Sequence, residues 1–415
     1  MWISTIFQRI QIYDGMCVEN FMKIISAFIE RSILVTKITG KAKGHLRHMF
    51  FIPVLVTISI FDSLVTNAQD IPAITLKNEP FTFRSKEFYI TGVDDERDEQ
   101  NVVASLIATN ATHPAITKSV DLKDGAAIAV KKFIDQNLAE SKTQIPVLIR
   151  LKKFKLTESV LPNGNVSGKL SLGFAFDRIF KYNNINLVDY NSSISYNRSA
   201  DQPSPAELII RHGLENALIY FDKWAEAGAN NNVKLAKSVK VDFIDYTENN
   251  EGDTIYYTVN RPLTWDDFKD KPRVSRFEAE IFTGIGYTEQ AEVTNGVINI
   301  HIAIKTYLSK NDCWVKSGAN DSYALNHEQR HFDISKIISE RFKQKIAGMN
   351  LPVDNYDGPI NVEYLESLRE AYNLQKQYDA ETQHGVNHYT QQLWDDKIDK
   401  QLNELGVKKA NTRNL

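Results

Sequence analysis

The chain has 415 residues, 42% of them hydrophobic and 24% charged, an ordinary globular composition with length enough for two separate cores. A formal charge of −3 supplies no broad basic field, so nucleic acid is set aside as a partner. Two cysteines, Cys17 and Cys313, do not make a disulfide framework, and Cys313 reads as a small buried hydrophobe rather than a metal ligand.

The N-terminal stretch reads as an address. Lys41, Lys43 and Arg47 precede an uncharged apolar run over residues 49–61, and Thr66-Asn67-Ala68 then offers a small-x-small cleavage site. The run is too short to span a bilayer, and Asp62 ends it. Residues 1–68 are therefore expected to be an upstream extension and secretory signal cut near Ala68, with Met22 or Met49 as alternative starts. The product is exported to the periplasm, envelope or medium, and touches membrane only through this segment.

Residues 69–246 alternate short apolar runs with two amphipathic helices. The first covers residues 125–140, with Ile128, Val130, Phe133, Ile134 and Leu138 at helical spacing. The second opens after Ser204, with Pro205 suited to a first turn, and continues through Leu208, Ile209, Leu214, Leu218, Ile219 and Phe221 to Gly228. Strands are predicted over residues 144–155, 166–176 and 184–195. The region reads as an α/β or α+β module without a recognisable catalytic spacing, hence a binding module with a cell-envelope partner. The polar stretches 225–233 and 247–253 bracket the boundary to a second domain, residues 247–415.

The chemistry is expected in that second domain. Residues 281–293 and 297–308 flank Thr294-Asn295-Gly296, a hairpin signal whose edge offers pairing to an extended peptide. His327-Glu328-Gln329-Arg330-His331 follows the H-E-x-x-H pattern. On a helix, positions i and i+4 share a face, so two imidazoles can hold one Zn²⁺ while Glu328 acts as general base on a zinc-bound water. Asn320, Asp321 and Ser322 are candidate caps, Leu325, Phe332, Ile334, Ile338 and Phe342 make an apolar stripe, and Gly348 is a stop. A catalytic zinc takes three protein ligands. His384, at the end of a helix predicted from Val362, is the first choice for the third, with Asp379 and Glu381 as alternatives. Asp333 is placed either to orient a ligand histidine or to cap or face solvent, and His388 or Tyr389 to donate to an oxyanion or to pack.

Taken together, residues 260–268 (NRPLTWDDF, with Trp265 and Phe268), the hairpin, residues 325–333 and residues 378–385 resemble a bacterial domain-of-unknown-function family of predicted secreted zinc-dependent proteases, over residues 260–415. The resemblance implies an α+β, zincin-like metallopeptidase domain with zinc at His327 and His331, Glu328 as base, and a peptide or protein substrate. An amidohydrolase of cell-wall peptides would use the same parts. A non-catalytic envelope protein that keeps the zinc helix as a structural element would differ in closing the site with a fourth protein ligand.

Overall fold

The computed structural model describes residues 71–110, 113–138, 144–248 and 252–407, without the side chains of 109, 110 and 113–115. The expected signal and cleavage site, Cys17, the far end of the first helix and the tail from 408 lie outside the described residues. The described residues belong to one compact unit of mixed α+β structure. No helix among the described residues is long and apolar enough to cross a membrane.

The first half is a six-stranded sheet of β1 (Phe88–Asp95), β2 (Ala104–Asn110), β3 (His113–Val120), β4 (Ile145–Val160), β5 (Val166–Ile179) and β6 (Asn184–Arg198). Its order is β3-β2-β4-β5-β6, and β1 lies parallel to the first half of β4. The long strands begin where the alternation of apolar residues places them, and β6 keeps the half-exposed alternation of a strand with one wet face. The helices α1 (Ala126–Asn137) and α2 (Ala206–Gly228) share one apolar core with this sheet. In α1 the buried set is Ala126, Val130, Phe133 and Ile134, whereas Ile128 is exposed, because at 100° per residue it falls on the opposite face from Val130. Gly213 lets α2 lie close on the sheet: a Cβ there would come within 2.8 Å of both Leu170 and Leu172. Phe176 and Phe221 then stack at 4.2 Å between strand and helix.

Among the ion pairs of this module, Glu158–Arg198 is the most deeply buried of those described. Glu158 is 3% exposed and Arg198 grips it with Nε and Nη2 at 2.9 and 2.8 Å. Tyr196, Ser204 and the Ile107 amide donate to the same carboxylate. Burial opposes the charge, but Arg198 and these donors hold the Glu158 carboxyl down at about 2. Its stabilisation is therefore complete above the ordinary carboxylate range and is lost as pH falls through about 2. Glu158→Gln strands a buried guanidinium, and chemical denaturation at neutral pH is expected to show a loss of about 3–5 kcal/mol. A loss below 1 kcal/mol would mean that solvent reaches Arg198.

The second half is built around one helix. Strands β7 (Ser238–Asp245), β8 (Thr254–Tyr256), β10 (Thr283–Thr294) and β11 (Val297–Ser309) form a four-stranded sheet, and β9 (Ala279–Glu280) pairs with β12 (Trp314–Val315). β7 runs parallel to β11, so the chain enters the second sheet at Ser238, ahead of the polar stretch at 247–253. β10 and β11 meet in the expected two-residue turn, with Asn295 and Gly296 at φ 53° and 72°, the left-handed pair a type I′ hairpin requires. Ile298, Ile300, Ile302 and Ile304 face inward from β11 onto Phe342 and Ile346 of α3 (Ser322–Ala347). On its other side α3 meets α4 (Asp357–Thr382) and α5 (His388–Glu404).

The helix α3 begins at Asp321, whose side chain accepts from the Ala324 amide at 2.7 Å, and ends at Gly348. The Trp265-Asp-Asp-Phe268 segment anchors that start, because Trp265 packs at a tilt against Phe268 and donates from Nε1 to the Asp321 carbonyl. From His327 to Ser339, all residues but Gln329 are buried, including Glu328, Arg330, Asp333 and Lys336. A polar helix so enclosed must find partners for its charges inside the protein. Arg330 is shared among Asp333, Asp395 and Asp399, and Lys336 reaches Asp245 and Glu340.

A candidate metal centre on the buried helix

His327 and His331 stand one turn apart on α3 with their rings perpendicular and 5.0 Å between centroids. Facing them from α4 is Asp379. Its Oδ1 lies 3.4 Å from His327 Nε2 and 3.0 Å from His331 Nε2, and donor atoms of the three residues lie within 4.8 Å of one another. In a tetrahedral site with bonds near 2.0–2.1 Å, ligand atoms are separated by roughly 3.3 Å, close to the two distances from Asp379 Oδ1.

The opposite nitrogens decide what these contacts are. His327 Nδ1 meets Gln391 Oε1 at 2.9 Å, and His331 Nδ1 meets Gln375 Oε1. Each amide oxygen is an acceptor, so each Nδ1 carries the hydrogen, and the Nε2 that faces Asp379 holds a lone pair whenever the ring is neutral. Asp379 Oδ1 is buried and has no hydrogen bond of proper geometry. Three lone pairs converging on one point call for a cation between them, either protons on the rings or a bound metal. Burial opposes the charged form of His331, but contact with Asp379 outweighs it and lifts the imidazole to about 8. Burial likewise works against the Asp379 charge, and the two histidines hold its carboxyl well below the carboxylate range.

Glu328, the next residue on α3, is 5% exposed. Burial pushes its carboxyl up, and the nearby histidines offset only part of that push. No protein hydrogen bond holds it among the described residues, in contrast to the fully engaged carboxylate of Asp333. Asp333 accepts from the Tyr257 hydroxyl and Gln329 on one oxygen and from Arg330 on the other, so it ties α3 to the segment that follows β8.

His384 stands beside this set and outside it. After Thr382 the chain turns through three left-handed residues, Gln383, His384 and Gly385, at φ 52°, 53° and 80°. For the two non-glycine residues that conformation is costly, on the order of 1–2 kcal/mol each. Gly385 also packs on His327, where a Cβ would lie 3.4 Å from the ring. The turn leaves the exposed His384 ring packed against Phe277, tilted at 37° with centroids 4.0 Å apart, and its Nδ1 3.5 Å from Asp379 Oδ1. Burial of its inner edge lowers the His384 imidazole. Glu381 points elsewhere, accepting from Gln377 and from Trp394 Nε1. His388 stacks on Tyr323, and Tyr389 is exposed. Cys313 is fully buried, donates to the Ser309 carbonyl, and is pushed by burial up to about 12, as an inert core thiol would be.

Two strand edges approach the site. On β10 the Ile285 carbonyl already accepts from the Tyr364 hydroxyl, so the hairpin edge expected to pair with a peptide is occupied at that point. On β9 the Lys316 amide donates to the Glu278 carbonyl, which makes 278 and 280 the residues bonded to β12. By the alternation of antiparallel pairs, Ala279 turns its amide and carbonyl outward. That edge continues from Phe277, the residue in ring contact with His384, and no other strand pairs with it among the described residues.

Sequence reasoning missed Gln375 and Gln391. A signal for them existed: Gln375, Tyr378, Asp379 and Thr382 recur at i, i+3, i+4 and i+7 on α4, and Gln391, Trp394, Asp395 and Ile398 do so on α5. These are stripes in which polar residues fall in phase with the apolar ones.

No family model matches this chain, and no curated protein matches it. One solved structure, described as "Crystal structure of uncharacterized protein", aligns with 36% of this chain and 98% of its own length at 10% identity and a TM-score of 0.20, too slight a likeness to carry an argument.

Proposed function

We propose that this chain is an exported zinc-dependent metallopeptidase with a zincin-like C-terminal domain, acting on peptide or protein substrate. The observation that carries the reading is the convergence of His327 Nε2, His331 Nε2 and Asp379 Oδ1 beside a buried Glu328 that no protein group holds. His327, His331 and Asp379 would hold the metal. Zinc bound there supplies a Lewis acid that polarises a scissile carbonyl and acidifies water.

The chain's own residues then have definite tasks. Glu328, its carboxyl raised by burial, accepts the proton of the attacking water and returns it to the leaving amine. The outward edge at Ala279 aligns an extended substrate by main-chain hydrogen bonds, and Phe277 with His384 forms the rim it crosses. His384 is thus read as a rim residue, and Asp379 as the third ligand. The module over residues 69–246 is read as the part that binds an envelope partner.

Metal analysis of the purified protein by mass spectrometry, with peptide-library cleavage in parallel, tests this reading. One zinc per chain with cleavage is the expected result. Cleavage confined to cell-wall peptides would make the protein an amidohydrolase of the same chemistry. Zinc without hydrolysis of either class would leave a binding protein with a structural metal, and absence of zinc would remove the reading altogether.

A further inference from the structure

The two glutamines behind the histidines are themselves held in one orientation. Gln391 is almost wholly buried, and its Nε2 donates to the Tyr378 hydroxyl at 2.6 Å and to Asp395 Oδ1 at 2.9 Å. Asp395 can only accept, and it is fixed by Arg330 Nε at 2.9 Å and Asn326 Nδ2 at 3.0 Å. Tyr378 passes its own hydrogen to the His327 carbonyl. The amide cannot flip without setting its oxygen against a carboxylate, so Oε1 is committed to His327 Nδ1. Gln375 is fixed in the same manner, with Nε2 3.0 Å from the His331 carbonyl and 3.1 Å from both Ser335 Oγ and Thr283 Oγ1.

We propose that Gln375 and Gln391 are the positioning residues of this centre: each locks one histidine as its Nδ1–H tautomer and aims the Nε2 lone pair at Asp379. The inference deepens the metallopeptidase reading and rests on it for the identity of the cation. Two consequences follow from the chemistry of an amide. With a metal on Nε2 both histidines are neutral ligands, where a carboxylate behind them would share their proton and add negative charge. Asp379 is then the one anionic member of the three-residue set, so a bound dication keeps a net positive charge and its full pull on a carbonyl oxygen. The locks also come from α4 and α5, and Arg330, inside the motif itself, pins α5 through Asp395 and Asp399. The motif helix therefore cannot present its ligands without the two helices that follow it.

The test uses the full chain as wild type, Gln375→Leu, Gln391→Leu and Gln375→Glu. Leucine keeps the volume, and the groups each glutamine leaves behind retain other partners: Asp395 keeps Arg330 and Asn326, and Thr283 Oγ1 keeps Ser335 Oγ at 2.8 Å. Zinc dissociation constants are measured by competition with a chromogenic chelator, and the melting temperature of each metal-free variant is recorded beside them. Each leucine variant is expected to bind zinc about 10–100-fold more weakly. Gln375→Glu, which restores an acceptor for His331 Nδ1, is expected to recover most of that loss. Leucine variants that bind zinc as tightly as the wild type, whatever their melting temperatures, overturn the proposal.

Histidine ¹⁵N spectra of the metal-free wild type above pH 9 provide the second readout. His327 and His331, assigned by single substitutions, are expected as Nδ1–H tautomers, each leucine variant releasing one of them toward the Nε2–H form. Nε2–H tautomers in the wild type overturn the proposal independently of metal. If the wild type shows the Nδ1–H tautomers yet takes up no zinc, the positioning role stands and the metallopeptidase reading falls.

Discussion

Glu328→Gln is expected to lower kcat by about 10²–10⁴-fold while one zinc per chain remains bound. The substitution keeps the shape of the side chain and removes its capacity to take a proton. Glu328 is not among the converging donors, so metal content has no reason to change. Stability should not fall, and a small gain is expected, because burial already works against the carboxylate and an amide carries no charge to bury. Single-turnover hydrolysis, metal analysis and thermal melting on the same preparation check all three. Loss of zinc together with activity would make Glu328 a ligand, and unchanged kcat would remove it from the chemistry.

Replacing Asp379 and replacing His384 should have opposite outcomes. Asp379→Ala removes the oxygen that both Nε2 atoms face, at 3.4 and 3.0 Å, and leaves two histidines without an anionic partner. Loss of outer contacts alone weakens metal sites about 10–100-fold, so loss of this oxygen is expected to exceed 100-fold. His384→Ala removes an exposed ring beside Phe277, and its zinc affinity is expected to stay within about 10-fold of wild type, with the loss in KM if the two rings form the rim proposed for substrate. Chelator competition on both variants decides the matter. Zinc retained in Asp379→Ala and lost in His384→Ala would exchange the two roles.

Much of the local structure was legible in the amino-acid order because it depends on neighbours a few residues apart. The β10–β11 turn at Asn295-Gly296, the capped start of α3 at Asp321, its stop at Gly348 and the starts of β5 and β6 all follow from local sterics and hydrogen bonding. The pairing of His327 with His331 belongs to the same class, since helical periodicity alone puts them on one face. Periodicity also carried the limits of such reading: Ile128 counted as core on spacing, yet sits on the far side of α1.

Which third side chain meets the two histidines was a question of another kind. His384 and Asp379 lie five positions apart, and a straight helix to the glycine would have favoured the histidine. The helix instead ends at Thr382 and the chain reverses through Gln383 and His384 in left-handed conformations, so the carboxylate points in and the imidazole lies at the rim. The glutamine locks were equally out of reach, because Gln375 and Gln391 acquire meaning only when α4 and α5 pack against α3. The sequence by itself determined the helix, the hairpin and the placing of His327, Glu328 and His331 beside one another, all products of interactions between residues close along the chain. Tertiary structure decided which third side chain meets the two histidines, what lies behind their Nδ1 atoms and the occupied edge at Ile285, because each depends on where a distant element delivers one atom to within about an ångström.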